Sequence, residues 1–104
     1  MATLLSEEEL GRALEELSGW HLSNGAIRTR IQAADFPAAV ALVNRIAEVA
    51  EEMDHHPDID IRWRNLEIAL STHSAGGITA LDVSQARRIV TLAAEAGAEL
   101  SAQA

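Results

Sequence analysis

Histidine exchanges protons near neutral pH, and three of the four histidines in this chain lie where the backbone is expected to change structure. His55 and His56 directly precede Pro57, which disfavours a continued helix, and His73 lies shortly before Gly76-Gly77. Histidines at the ends of elements are well placed to face a common cleft. Two of them in different electrostatic surroundings could serve as a general acid and a general base.

Glu51 is the carboxylate that helical spacing offers as a partner for His55. It lies four residues before His55, so on a continuous helix the two side chains would share a face. A carboxylate at that distance, together with the negative end of the helix dipole, favours an imidazolium at His55. No neighbouring carboxylate is guaranteed for His73, so the two histidines are expected to differ in role.

A metal site is the main chemical alternative, since three histidines and a carboxylate can ligate zinc or iron. His55 and His56 are consecutive, however, and consecutive side chains on a helix diverge by about 100°. Metal binding therefore ranks below proton transfer. There are also structural interpretations: Glu51 could be a solvated helix residue, Asp82 could simply cap a helix, and His21 is expected at the surface.

Capping and turn signals define the elements that must hold these side chains. Ser6 with Glu9 begins a helix that stops at Gly19, and Asn24-Gly25 predicts a hairpin between two strands. Asp35 caps a long helix, and Thr79 with Asp82 begins the last helix. The long helix is predicted to run to about Asp54 with a buried stripe of Val40, Val43, Ile46, Ala50 and Met53, two extended runs follow over 59–72 with a turn near Arg64-Asn65, and the last helix runs to about Leu100.

This order predicts an α+β fold in two layers: a four-stranded antiparallel sheet with helices packed on one face, in the order α-β-β-α-β-β-α. A length of 104 residues indicates one domain, residues 1–104. Eight basic against 16 acidic residues give a net charge of −8, which argues against nucleic acid and anionic membranes as partners.

The chain has no cysteine, which excludes disulfides and thiolate metal sites. Residues 1–10 lack the basic and apolar regions of a secretory signal, and no apolar run approaches the roughly 20 residues that span a bilayer. We therefore expect a cytoplasmic protein.

Several stretches taken together carry a family resemblance. They are Glu51-Glu52-Met53-Asp54-His55-His56-Pro57-Asp58, then Asn65 and Leu66-Glu67-Ile68-Ala69-Leu70-Ser71-Thr72-His73, then Gly77-Ile78-Thr79 with Asp82, and more loosely Leu17-Ser18-Gly19-Trp20 and Asp35-Phe36. The set resembles the pterin-4a-carbinolamine dehydratases, whose hallmark is E-x-x-x-H-H-P, an asparagine-containing turn, L-S-T-H, a glycine step and S/T-x-x-D. The family usually has an aromatic residue two positions after the proline, where this chain has Ile59.

The resemblance implies a hydro-lyase that converts a 4a-hydroxy-tetrahydropterin to quinonoid dihydropterin and water, and so recycles the pterin cofactor. It implies proton exchange by His55 and His73, a role for His56 in holding or assisting the pterin ring, orientation of His55 by Glu51, and support from Asp82. The substrate pocket would include Pro57, Ile59, Thr72 and Ser74. Neither a metal nor another cofactor is expected.

The resemblance also implies an alternative of a different class. Animal members of the family act as dimerisation cofactors of a transcription factor, so this chain could be a protein-binding module with weak or no catalysis. Family members form dimers or tetramers, and a homodimer or homotetramer is expected here. A measured dehydration rate separates the two functions, because a binding module does not need His73.

Overall fold

The computed structural model of the protein describes residues 3–102, which form one layer of helices on one antiparallel sheet. The elements are α1 (Glu7–Glu16), β1 (His21–Ser23), β2 (Ala26–Gln32), α2 (Phe36–Met53), β3 (Asp58–Arg62), β4 (Asn65–Leu70), a 3₁₀ turn (His73–Ala75), α3 (Ala80–Glu95) and β5 (Glu99–Ser101). The strands are ordered β1-β2-β4-β3, with β5 also paired to β2, and all pairs are antiparallel. The predicted α+β class and antiparallel sheet are confirmed.

The described residues form five strands, so the prediction of four was wrong. The last helix, expected to reach about Leu100, ends at Glu95. Gly97 then adopts a φ of 68°, and the N–H of Ala98 donates to the carbonyl of Ala93, which closes the helix end. The chain turns back and sets Leu100 opposite Ile31 of β2. A strand of three residues is too short for alternation to distinguish it from a final helical turn.

Both β1 and β5 pair with the same edge of β2, at 26–28 and 30–32 respectively. Between them the buried hydroxyl of Thr29 donates to the carbonyl of Gly19 at 2.6 Å. Gly19 has a φ of 89°, and a Cβ there would lie 3.0 Å from the Cβ of Leu100. Glycine is therefore required where the chain from α1 passes the end of β5.

The core lies between the sheet and the helices. Alternate residues of β2 and β4 point into it, among them Ile27, Ile31, Leu66, Ile68 and Leu70. From α2 the buried residues are Ala39, Leu42, Ile46, Val49 and Ala50. The predicted stripe was therefore only partly right, since Val40 is 37% exposed. An Ala- and Val-rich helix carries overlapping apolar stripes, and only packing against its neighbours selects one.

Among residues 3–102, no helix combines the length and the apolar character that crossing a bilayer requires.

Candidate functional site

His55 is the most enclosed of the three predicted site histidines. Helix α2 ends at Met53, and Asp54 adopts a left-handed conformation with φ 49° and ψ 46°. This conformation turns His55 out of the helical path, and its N–H donates to the carbonyl of Ala50 at 3.0 Å. The side chain is about nine-tenths buried, and its Nε2 lies 2.6 Å from Oδ1 of Asp82.

Asp82 is the centre of a buried polar network. Its Oδ2 accepts from the backbone N–H of Thr79 at 2.9 Å and from the hydroxyl of Thr72 at 2.7 Å. Because the hydroxyl of Thr72 donates to the carboxylate, the hydroxyl of Thr79 must donate to Oγ1 of Thr72, 2.8 Å away. The side chain of Asp82 is fully buried, and these charge-assisted bonds compensate its desolvation.

Asp82 also completes the capping box of α3, as its position three residues after Thr79 predicted. The same carboxylate therefore joins three elements: the end of α2 through His55, the end of β4 through Thr72, and the start of α3.

The predicted pairing of Glu51 with His55 was wrong. Oε2 of Glu51 lies 2.5 Å from Nε2 of His56 instead, and both side chains are exposed. The spacing rule holds only while the backbone stays helical, and Asp54 leaves the helix before His55 is reached. The left-handed residue turns His55 into the interior and leaves His56 on the side of Glu51.

His73 begins the 3₁₀ turn and is exposed. It directly follows Thr72, whose hydroxyl donates a hydrogen bond to Asp82. The position of the His73 backbone is therefore tied to the network around Asp82. Thr72 was expected to line the substrate pocket, but it is 5% exposed and its hydroxyl is engaged by Asp82 and Thr79. The Thr72 hydroxyl therefore belongs to the buried network around Asp82, whereas Ser74, in the 3₁₀ turn, is exposed.

Two surface cavities lie near these residues. One of about 360 Å³ lies on the sheet, and its wall includes Ile59 and the neighbouring charged side chains Arg28, Asp58, Asp60 and Glu67. The other, of about 510 Å³, lies between the N-terminal segment and the start of α3 and reaches Thr79. Among the residues that the structure describes, neither wall contains a histidine.

Pro57 and Ile59 are half-buried, and Ile59 packs against the core. The meeting of His55, His56 and His73 around one substrate stays a prediction. Between residues 3 and 102, no three histidine, aspartate or glutamate side chains form a group that could hold a metal ion.

Gln85 was missed by the sequence interpretation. It is fully buried on α3, and its Nε2 donates to the carbonyl of His55 at 2.5 Å. A signal was present: Gln85 lies on the stripe of Asp82, Ala86 and Ile89, where helical periodicity predicts burial. A polar residue on such a stripe indicates a specific hydrogen-bond partner.

Comparison with known proteins gives the family. Residues 3–92 match the family model described as pterin 4 alpha carbinolamine dehydratase. The chain belongs to this family. A Nocardia farcinica (strain IFM 10152) protein, provisionally named a pterin-4-alpha-carbinolamine dehydratase, is 54% identical over 90 residues, which cover 86% of this chain and 95% of the relative.

A similarly named protein of Mycobacterium avium (strain 104) is 50% identical over 86 residues, covering 83% of this chain and 92% of that protein. Among solved structures, the transcriptional coactivator/pterin dehydratase from Brucella melitensis superposes with a TM-score of 0.83 at 34% identity, covering 86% of this chain and 97% of the other. The pterin-4a-carbinolamine dehydratase family therefore accounts for most of the chain in both sequence and fold.

Proposed function

We propose that the protein dehydrates a 4a-hydroxy-tetrahydropterin to quinonoid dihydropterin by histidine general acid–base catalysis and so recycles the pterin cofactor. The observation that carries the proposal is the contact of His55 with the buried carboxylate of Asp82 in a member of this family. Asp82 also accepts a hydrogen bond from Thr72, the residue directly before His73. A buried imidazole held by a carboxylate is a common arrangement for moving protons.

The proposed reaction breaks two bonds and needs two proton transfers. The C4a–O bond breaks as an acid protonates the departing hydroxyl, a base takes the proton of N5, and a C4a=N5 double bond forms. Asp82 accepts two hydrogen bonds at Oδ2 and faces Nε2 of His55 through Oδ1. Nε2 of His55 must then carry a proton, which leaves Nδ1 to exchange a proton with the substrate.

His73 would supply the second proton-transfer group from the 3₁₀ turn. His56 would contact the pterin ring at the surface, held by Glu51. No step requires a metal or another cofactor, so we expect activity to survive dialysis against a strong chelator. Activity that is lost on dialysis and restored by zinc or iron would favour a metal site.

The direct test is to generate a 4a-hydroxy-tetrahydropterin in a stopped-flow cell and follow its loss with and without the protein. We expect the rate to rise in proportion to protein concentration above the uncatalysed rate. An unchanged rate over a wide range of concentration would contradict the proposed activity.

The second candidate is a protein-binding or dimerisation module with weak or no catalysis. It is supported by the description of the Brucella melitensis structure as a coactivator as well as a dehydratase. Exposed apolar side chains at Phe36 and Val40, on α2, offer contact area for such a partner. A binding module has no use for His73, so the dehydration rate distinguishes the two candidates.

We also propose that the chain forms a homodimer or homotetramer. Within the described sheet, β3 pairs only with β4, which leaves one β3 edge without a partner strand. In an antiparallel pair centred on Asp60, Asp58 would face Arg62 of a second copy. The exposed side chains of Ile61 and Trp63, 41% and 66% accessible, lie at the same end of this hairpin.

The remaining expectations stay predictions: one domain over residues 1–104, a cytoplasmic location, and a small-molecule partner without nucleic acid or membrane.

A further inference from the structure

Gln85 and Asp82 lie three residues apart on α3 and contact the same residue. Asp82 contacts the ring of His55 at 2.6 Å, and Gln85 donates to its backbone carbonyl at 2.5 Å. Because residues three apart share a helix face, one face of α3 holds His55 at both its side chain and its main chain.

The backbone around His55 needs such a contact because it belongs to no regular element. Residues 54–57 lie between α2 and β3. The N–H of His55 is bound to the carbonyl of Ala50, and its own carbonyl is bound by Gln85. With both groups engaged, the peptide planes on either side of His55 are fixed, and so is the direction in which its ring leaves the chain.

Gln85 carries a buried amide of which only the Nε2 end is bonded in the described part of the chain. Its Oε1 is buried without a hydrogen-bond partner in the described part of the chain, and an unpaired buried acceptor destabilises the folded state. A leucine or methionine would fill the stripe beside Ala86 and Ile89 without that cost, but it would leave the carbonyl of His55 without its donor. The one bond of the amide is to the main chain of the candidate catalytic residue.

We propose that Gln85 is a positioning residue for catalysis, holding the main chain of His55 so that the imidazole meets Asp82 and the substrate in one fixed orientation. The inference rests on the proposed function, since it assumes that His55 transfers a proton. Misplacement of a catalytic group by about 1 Å can lower a rate by up to about 100-fold. For loss of this one contact we expect kcat to fall about 10-fold, with little change in KM.

The test compares Gln85→Met, which keeps the length of the side chain and removes the amide, with the matched control Ile89→Met on the same buried stripe. Both are assayed by stopped-flow dehydration, by thermal unfolding, and by NMR of ¹⁵N-labelled imidazoles. We expect Gln85→Met to lower the Tm, because the carbonyl of His55 loses its donor, to lower kcat about 10-fold, and to populate both neutral tautomers of His55. In Ile89→Met only the Tm should change.

Wild-type kcat together with unchanged His55 signals in Gln85→Met would overturn the proposal. The wild-type protein gives a second measurement that does not depend on how the variant folds. The Gln85 side-chain amide should exchange slowly with solvent because it is bound to the carbonyl of His55, and fast exchange would also overturn the proposal. If the wild-type protein does not accelerate dehydration, the proposed function fails, but the NMR measurements still decide whether Gln85 sets the orientation of His55.

Discussion

At position 82, one carboxylate both caps a helix and holds a histidine. Asp82→Asn separates these tasks, because asparagine keeps the shape and can still accept one bond from the backbone of Thr79. Its amide would face Nε2 of His55 as a donor, which favours the opposite tautomer. We expect kcat to fall about 10–10³-fold, the scale of a general acid–base contribution reduced by a fast uncatalysed reaction.

For Asp82→Asn we expect a destabilisation of about 1–3 kcal/mol, measured by urea unfolding, since a buried charge-assisted bond is weakened. Glu48→Gln, on the exposed side of α2, is the control for loss of one negative charge. Wild-type kcat in Asp82→Asn would mean that the contact with His55 is purely structural.

Substitutions of the three candidate histidines should affect kcat and KM differently. His55→Ala and His73→Ala should each lower kcat by about 10–10³-fold with smaller effects on KM, because in the proposed mechanism both histidines act mainly in the transition state. His56→Ala should raise KM instead, and Glu51→Gln should resemble His56→Ala, since Glu51 contacts His56. Steady-state kinetics with a regenerated carbinolamine measures all four variants. Wild-type turnover in His73→Ala, with His55→Ala impaired, would refute the two-histidine scheme.

At the scale of elements, the first helix begins with a reciprocal capping box. The N–H of Ser6 donates to Oε1 of Glu9 at 2.8 Å, and the N–H of Glu9 donates to Oγ of Ser6. Hydrogen bonding from Ser6, first through its backbone and then through its side chain, lowers the pKa of Glu9 from its ordinary value of 4.5. A lowered folded-state pKa contributes stability above the unfolded value, and this contribution is lost as the pH falls through the folded value.

Wild-type protein should therefore lose part of its stability on acidification from pH 5, whereas Glu9→Gln should lack that part of the pH dependence. Thermal unfolding between pH 3 and pH 7 measures the difference. Glu7→Gln, in the same helical turn but outside the capping box, is the matched control. Parallel pH dependence of Glu9→Gln and wild type would contradict this assignment.

Two glycines should respond to alanine in opposite directions. Gly19→Ala should destabilise the fold by about 1–2 kcal/mol or more, because φ is 89° and the new Cβ would lie 3.0–3.3 Å from Leu100. Gly11→Ala, within α1 and with no atom near the new Cβ, should stabilise it by about 0.5–1 kcal/mol. Chemical denaturation measures the free energy of unfolding of both variants. Equal changes in the two would contradict the close approach of Gly19, just after α1, to Leu100 of β5.

At the scale of the whole molecule, the edge of β3 that has no partner strand among residues 3–102 predicts how copies associate. Asp58→Arg should weaken association, because residue 58 would then face Arg62 of the second copy, and adding Arg62→Asp should restore it. Light scattering after size-exclusion chromatography, at several concentrations, measures the assembly. Glu15→Arg on α1 is the control for a charge reversal elsewhere. A wild-type protein that stays monomeric throughout would contradict self-association.

Much of the fold could be predicted because its signals are local. Ser6 with Glu9 and Thr79 with Asp82 are capping boxes within four residues of chain, and Asn24-Gly25 forms its turn with positive φ at both positions. The second hairpin was less well predicted. Its turn is at Trp63-Arg64, one residue earlier than expected. Trp63 has a φ of 57°, a backbone conformation that residues with bulky side chains rarely adopt.

By itself, the sequence determined the class of the fold, the family and the histidines worth testing, since these depend on short-range patterns and motif spacing. Only the tertiary structure decided that Asp82 and Gln85, 27 and 30 residues further along, hold His55, and that Glu51 holds His56. It alone also decided that residues 99–101 form a strand. The physical reason is the same throughout: a single left-handed residue, Asp54 or Gly97, redirects everything after it, and packing fixes the partners that the chain then meets.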